Sequence, residues 1–71
     1  MVTEIKSPMT GKIADILVQV GDKVEVDDEL IIMDAMKMEI PVLSPVDGTI
    51  KEIFVKTGDS VKTDQLLMTI E

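Results

Sequence analysis

Residues 7–34 read SPMTGKIADILVQVGDKVEVDDELIIMD, and residues 44–71 read SPVDGTIKEIFVKTGDSVKTDQLLMTIE. Set 37 positions apart with no gap, they agree at 11 of 28 positions. Ser7-Pro8 falls on Ser44-Pro45, Gly11 on Gly48, Gly21-Asp22 on Gly58-Asp59 and Leu30 on Leu67. Asp15/Glu52 and Asp34/Glu71 keep the carboxylate. Self-similarity of this kind decides the architecture. A unit too small to bury its own apolar face buries it against its copy.

Each copy reads as short strands. The apolar stretches are rich in Val and Ile and are cut by Gly-Asp and Ser-Pro turn signals about every ten residues. No segment holds a 3.6-residue apolar period for three turns. Strict alternation fails between Ile13 and Ile16, and again between Ile50 and Ile53, which predicts a bulge or a bend between sheets. The expected core is Ile13, Ile16, Val18, Val24, Leu30 and Ile32 or Met33, with Ile50, Ile53, Val55, Val61, Leu67 and Ile70 from the second copy. The fold class is all-β: a flattened β-barrel or sandwich of two four-stranded sheets related by a pseudo-two-fold, one domain over 1–71.

Composition narrows the chemistry. The chain has 71 residues with no Cys and no His, and Lys supplies all seven basic residues. That excludes a disulfide staple, the usual zinc sites, a Ser-His or Cys-His nucleophile and an arginine phosphate clamp. A net charge of -7 with one aromatic residue argues against nucleic-acid binding. No apolar run approaches the ~20 residues of a membrane span, and no signal peptide precedes the first polar residues. We expect a soluble, cytoplasmic, monomeric domain without direct membrane insertion. Thr10-Gly11-Lys12 lacks the spaced glycines of a P-loop. Glu25-Val26-Asp27-Asp28-Glu29 lacks the twelve-residue calcium-loop pattern and reads as a solvated turn. Ser7 and Ser44 read as turn formers ahead of proline, and Gly-Asp at 21–22 and 58–59 as turn chemistry.

The repeat breaks rank at position 37. After Asp34 the chain runs Ala35-Met36-Lys37-Met38-Glu39 before strand-like spacing resumes at Ile40 and Val42. Two strands therefore meet at Met36-Lys37. A two-residue hairpin normally takes Gly-containing pairs, because both central residues need positive φ. Met and Lys break that local rule, and rule-breaking positions are disproportionately functional. In the second copy Asp34 corresponds to Glu71, and Met38 corresponds to Met1. The counterpart of this hairpin is thus the pair of chain ends, which places Lys37 at the opposite pole from them. An apolar residue on each side of one lysine suggests docking of something that acts on the amine.

Ala35-Met36-Lys37-Met38, at the centre of the repeat, resembles the attachment motif of the biotinyl/lipoyl carrier domains, biotin carboxyl carrier type. The resemblance runs the full 71 residues, including the Gly-Asp turns. It implies a flattened barrel with the lysine on a hairpin tip and biotin in amide linkage to Lys37. A biotin protein ligase using biotinyl-adenylate would attach it. By the same resemblance Met36 and Met38 are ligase-recognition residues, Ala35 a small residue permitting close approach, and Asp34 stands where the family usually has Glu. Equal spacing of Gly11–Gly21 and Gly48–Gly58 leaves no room for the inserted thumb of some carriers, so the chain resembles the thumbless ones.

The implied role is carriage rather than catalysis. A biotin carboxylase, or a decarboxylase acting on its own substrate, would load the tethered group. A carboxyltransferase would pass the carboxyl to an acceptor. The domain would contribute tethering, which raises effective concentration at each site, and no acid, base or metal. Two other readings differ in testable ways. A lipoyl carrier favours an acid before the lysine and Ala after it, whereas this tip has Met on both sides. An unmodified adaptor of the same fold would never be acylated at Lys37.

Overall fold

A computed structural model of the chain describes residues 2–71; Met1 lies outside the described residues, and with it the expected Met38–Met1 correspondence. Eight strands follow in order: β1 (Thr3–Lys6), β2 (Gly11–Ile16), β3 (Lys23–Val24), β4 (Glu29–Ala35), β5 (Met38–Leu43), β6 (Gly48–Ile53), β7 (Ser60–Val61) and β8 (Leu66–Ile70). They form two four-stranded sheets, ordered β1-β8-β6-β3 and β5-β4-β2-β7. Advancing the first sheet by one repeat turns β1, β8, β6 and β3 into β5, β4, β2 and β7, with β4 and β8 exchanging. The pseudo-two-fold is therefore complete at the level of strand order. Every pairing is antiparallel. The molecule measures 32 × 17 × 16 Å.

The turns explain the repeated polar residues. Gly21 and Gly58 have φ near +95°, at 96° and 94°, a region that penalises any Cβ. One residue later, the Asp22 carboxylate accepts from Gln19 N and the Asp59 carboxylate from Lys56 N, both at 2.9 Å. Ser7 and Ser44 are buried, and their hydroxyls donate to the carbonyls of Met9 and Val46. At the acidic run, Asp28 is committed to Glu25 N at 2.8 Å, as a turn requires.

The bulges lie where alternation failed. Register shifts between Ile13 and Asp15 on β2 and between Ile50 and Glu52 on β6. A second symmetric pair was not anticipated: β4 shifts between Glu29 and Ile31 against β5, and β8 skips Leu67 where it pairs with β1. An inserted residue lets two neighbours in sequence both face inward. Leu30-Ile31 and Leu67-Met68 are accordingly all fully buried. This corrects the expected core. Met33 is buried and Ile32 is only partly so; Ile31, Met68, Ile5 and Val42 join the core. Ile16, Val18 and Ile53 are half-buried and pack on its margin. They follow the first pair of bulges.

One buried group stands out against this apolar interior. Thr69 is 7% exposed and its hydroxyl has no hydrogen-bond partner among the described residues. Its cross-strand neighbours are Glu4 and Glu52, and its repeat mate is Ile32. An orphan hydroxyl costs about 1–3 kcal/mol in desolvation. Thr69→Val removes it at nearly constant shape and is expected to stabilise the fold by about 1 kcal/mol, or ~4–8 °C in Tm. A melting curve that stays put or moves down would contradict this account of Thr69.

Candidate functional site

The β4–β5 ladder runs in register from Ile31↔Val42 to Ala35↔Met38, leaving Met36 and Lys37 alone in the turn. Their φ values are 53° and 63°. Two positive φ angles in a two-residue loop make a type I′ turn, whose twist matches the flanking strands. For residues with a side chain, each such angle costs about 1–2 kcal/mol. The ladder below holds the strain. Met36 is 84% exposed, Met38 is 63% exposed, and Lys37 between them is exposed as well.

All seven lysines are exposed, so exposure alone singles out none. Lys6, Lys12, Lys23 and Lys51 lie along strands, whose backbones are fixed by ladders. Lys56 and Lys62 each follow a buried valine, Val55 and Val61. Lys37 alone sits in a strained turn with an exposed apolar side chain before and after it. It can enter another protein's cleft with two hydrophobic contacts attached and no strand obstructing the approach.

Ala35 and Asp34 behave differently from the methionines. Ala35 is buried, and Asp34 is exposed on the outer face. In register, Asp34 stands between Lys12 of β2 and Glu39 of β5. The sequence reading did not identify Gly11 as part of this site. A Cβ on Gly11 would lie 2.9 Å from the Ala35 Cβ and 2.8 Å from the Asp34 carbonyl oxygen. The base of the hairpin thus depends on two small residues in contact. Its repeat mate Gly48 is placed as tightly, since a Cβ there would lie 2.6 Å from Ile70 Cγ2 and 2.7 Å from the Glu71 carbonyl oxygen.

That symmetry provides a control. Gly11→Ala and Gly48→Ala each force a Cβ into occupied space, with an expected cost of about 1–3 kcal/mol. Only Gly11→Ala displaces the Lys37 hairpin. Both variants are expected to lose melting temperature, with the Met36 and Lys37 backbone amide resonances moved in Gly11→Ala alone. Unmoved resonances at Met36 and Lys37 in that variant would show that the Gly11–Ala35 contact has no bearing on the tip.

The tip lies opposite Thr3 and Glu71. The far end of the second sheet, at Glu29 and Leu43, passes through 44–47 directly into Gly48 at the start of β6. There Thr49 N donates to the Glu71 carbonyl at 2.9 Å and Glu71 N donates to the Thr49 carbonyl at 2.8 Å. Thr3 pairs with Ile70 beside them.

The fold and the tip define a domain that presents one lysine. Residues 3–70 match the Biotin_lipoyl family, described as "Biotin-requiring enzyme", and the chain belongs to that family. It is similar to glutaconyl-CoA decarboxylase subunit gamma of Acidaminococcus fermentans, 46% identical over 39 residues, which cover 55% of this chain and 27% of that one. It is similar also to biotinylated protein TB7.3 of Mycobacterium tuberculosis, 30% identical over 43 residues and 61% of each chain. The chain therefore spans about a quarter of the length of the first relative and about three fifths of the second. Among solved structures, Kluyveromyces lactis urea carboxylase superposes with a TM-score of 0.94 at 34% identity, over 100% of this chain and 6% of that one. A single-chain, multi-domain long-chain acyl-CoA carboxylase shares the fold, with a TM-score of 0.91 at 19% identity over 96% of this chain and 7% of that one.

The cofactor is biotin, and the tip fits it. An amide-linked group needs an accessible amine and space on every side, and Lys37 has both. Among the described residues no three acidic side chains gather as a metal site would require, and no helix is long and apolar enough to cross a membrane.

Proposed function

We propose that this chain is a biotin carboxyl carrier domain over 1–71, biotinylated on Lys37 Nζ by a biotin protein ligase. The observation that carries the attachment site is the strained, exposed Met36-Lys37 turn, singular among the seven lysines. Forming the amide requires Lys37 to lose a proton and attack as the neutral amine. Ion pairing to Asp34 or Glu39 at this exposed tip is weak, so the ligase supplies the deprotonation. Met36 and Met38 present apolar surface to the ligase and to later partners. Asp34 offers a carboxylate on the outer face, and Ala35 acts from below by keeping the hairpin base close to Gly11.

Once bound, biotin supplies the atom that takes up and releases a carboxyl group. The barrel holds Lys37 at a fixed pole while the lysine side chain swings. Tethering gives each partner site a millimolar-scale effective concentration of the group. The partners are a biotin carboxylase or a decarboxylase, and a carboxyltransferase, acting in the cytoplasm on a monomeric carrier. Names of relatives support this partner class: a decarboxylase subunit, a urea carboxylase and biotinylated proteins. The domain itself contributes no catalytic group. A lipoyl role has no support in a tip with methionine on both sides.

The test is intact mass after co-expression with a biotin ligase and excess biotin. One added biotinyl group establishes the carrier. No addition there, and none with a lipoate ligase, leaves an unmodified adaptor.

A further inference from the structure

A groove of about 390 Å³ opens beside the hairpin, walled by Thr10, Gly11 and Lys12 on one side and by Ser60, Val61, Lys62 and Gln65 on the other. Gly11 touches the hairpin base and Lys12 is the register neighbour of Asp34. The groove is therefore one strand away from the tip. Its volume falls in the range that encloses small organic groups.

The internal repeat supplies a comparison within the same molecule. The equivalent positions at the far pole are Asp47, Gly48, Thr49, Lys23, Val24, Glu25 and Asp28. The hydrogen-bond skeleton is the same at both poles. At the far pole Asp47 accepts from Val26 N at 2.8 Å and Asp28 accepts from Glu25 N at 2.8 Å. At the near pole Thr10 Oγ1 accepts from Thr63 N at 3.3 Å and Gln65 Oε1 accepts from Lys62 N at 3.0 Å. The fold needs an acceptor at these places, and a neutral one serves. Across 10–12 and 60–65 there are two lysines and one acid; across the equivalent 47–49 and 23–28 there are one lysine and four acids. Negative charge has been kept out of the groove next to Lys37 while the same scaffold carries it freely at the other end.

We propose that this groove is a berth for the head group of the biotin carried on Lys37, with the Thr10 and Ser60 hydroxyls and the Lys12 and Lys62 ammonium groups donating to its oxygen. The inference rests on the attachment proposed above. The aliphatic stems of Lys12 and Lys62 would flank the apolar part of the group. Reach is sufficient. Eleven bonds separate the Lys37 Cα from the ring of an amide-linked biotin, about 13 Å when extended at ~1.2 Å per bond. The groove lies about 5–10 Å sideways, one to two strand spacings, and about 10 Å down the strands.

The experiment compares backbone amide spectra of the ¹⁵N-labelled chain, unmodified and biotinylated, with intact mass read first. Shifts are expected at Thr10, Lys12, Ser60 and Lys62 as well as at residues 35–39. The double variant Thr10→Asp, Lys62→Glu installs the far-pole residues, which this scaffold already accommodates. It is expected to be fully biotinylated and to lose at least half of the groove shifts. A group berthed half the time would also halve the rate of capture by avidin, and the variant would restore it. Full biotinylation with shifts confined to 35–39, or groove shifts undiminished in the variant, would overturn the berth and leave the attachment standing. Absence of the added mass would overturn the attachment reading and the berth with it.

Discussion

Lys37→Ala is expected to take biotinylation from complete to none while the melting transition hardly moves. The side chain is exposed in a turn whose strain lies in the backbone, so truncating it removes no packing. Surface substitutions of this kind fall within about 0.5 kcal/mol. Lys37→Arg separates charge from nucleophilicity. The guanidinium keeps the positive charge at every accessible pH and provides no neutral amine. Intact mass of wild type and both variants, each co-expressed with ligase, decides the matter. A biotinyl group on either variant would move the attachment to another of the lysines and would leave the Met-flanked turn without its assigned purpose.

Leu30→Ala should have the largest effect on stability. Leu30 is 0% exposed and sits in the bulge where β4 loses register with β5. Truncation of a fully buried leucine costs about 2–5 kcal/mol through lost transfer energy and the remaining cavity. At ~0.05–0.15 kcal/mol per residue, a domain of this size has about 4–11 kcal/mol in total. The loss is therefore between a fifth and all of the stability. Urea denaturation should show the midpoint falling sharply with the slope retained. Ile16→Ala, on the half-buried margin, is the comparison and should cost clearly less. If Ile16 proves as costly as Leu30, the division between core and margin drawn here is incorrect.

The two four-stranded sheets with their pseudo-two-fold and the first pair of bulges were legible in the sequence because a gapless repeat transmits both. Pairing β1 with β8 makes pairing β5 with β4 nearly obligatory, and the failures of alternation at 13–16 and 50–53 recur at the same offset. The second pair of bulges was not legible. Glu29-Leu30-Ile31-Ile32-Met33 holds four apolar residues in succession, and such a run carries no parity. Nothing in it says that Leu30 and Ile31 both turn inward while Ile32 is pushed toward the surface. Ile5 and Val42 were missed because β1 and β5 lie wholly outside the matched copies. At the site, the broken turn rule pointed to Lys37. Gly11 escaped because its role depends on contact with Ala35 across the sheet, a relation that residue spacing does not encode.

The interleaving of the two copies bears on when the lysine becomes available during synthesis. A ribosome-borne chain that has emerged through Leu43 already contains β2, β4 and β5, and hence Lys37. Its inner face, with Ile13, Ile31 and Met33, has no opposing sheet, because β1 waits for β8 and β3 waits for β6. A few strands with an uncovered apolar face are marginal in water, and they do not hold a turn strained at two residues. The hairpin therefore takes its shape only after β8 has left the exit tunnel. On the proposed attachment, loading of Lys37 then certifies a closed barrel, and chains that stop short of β8 are passed over without a separate inspection step.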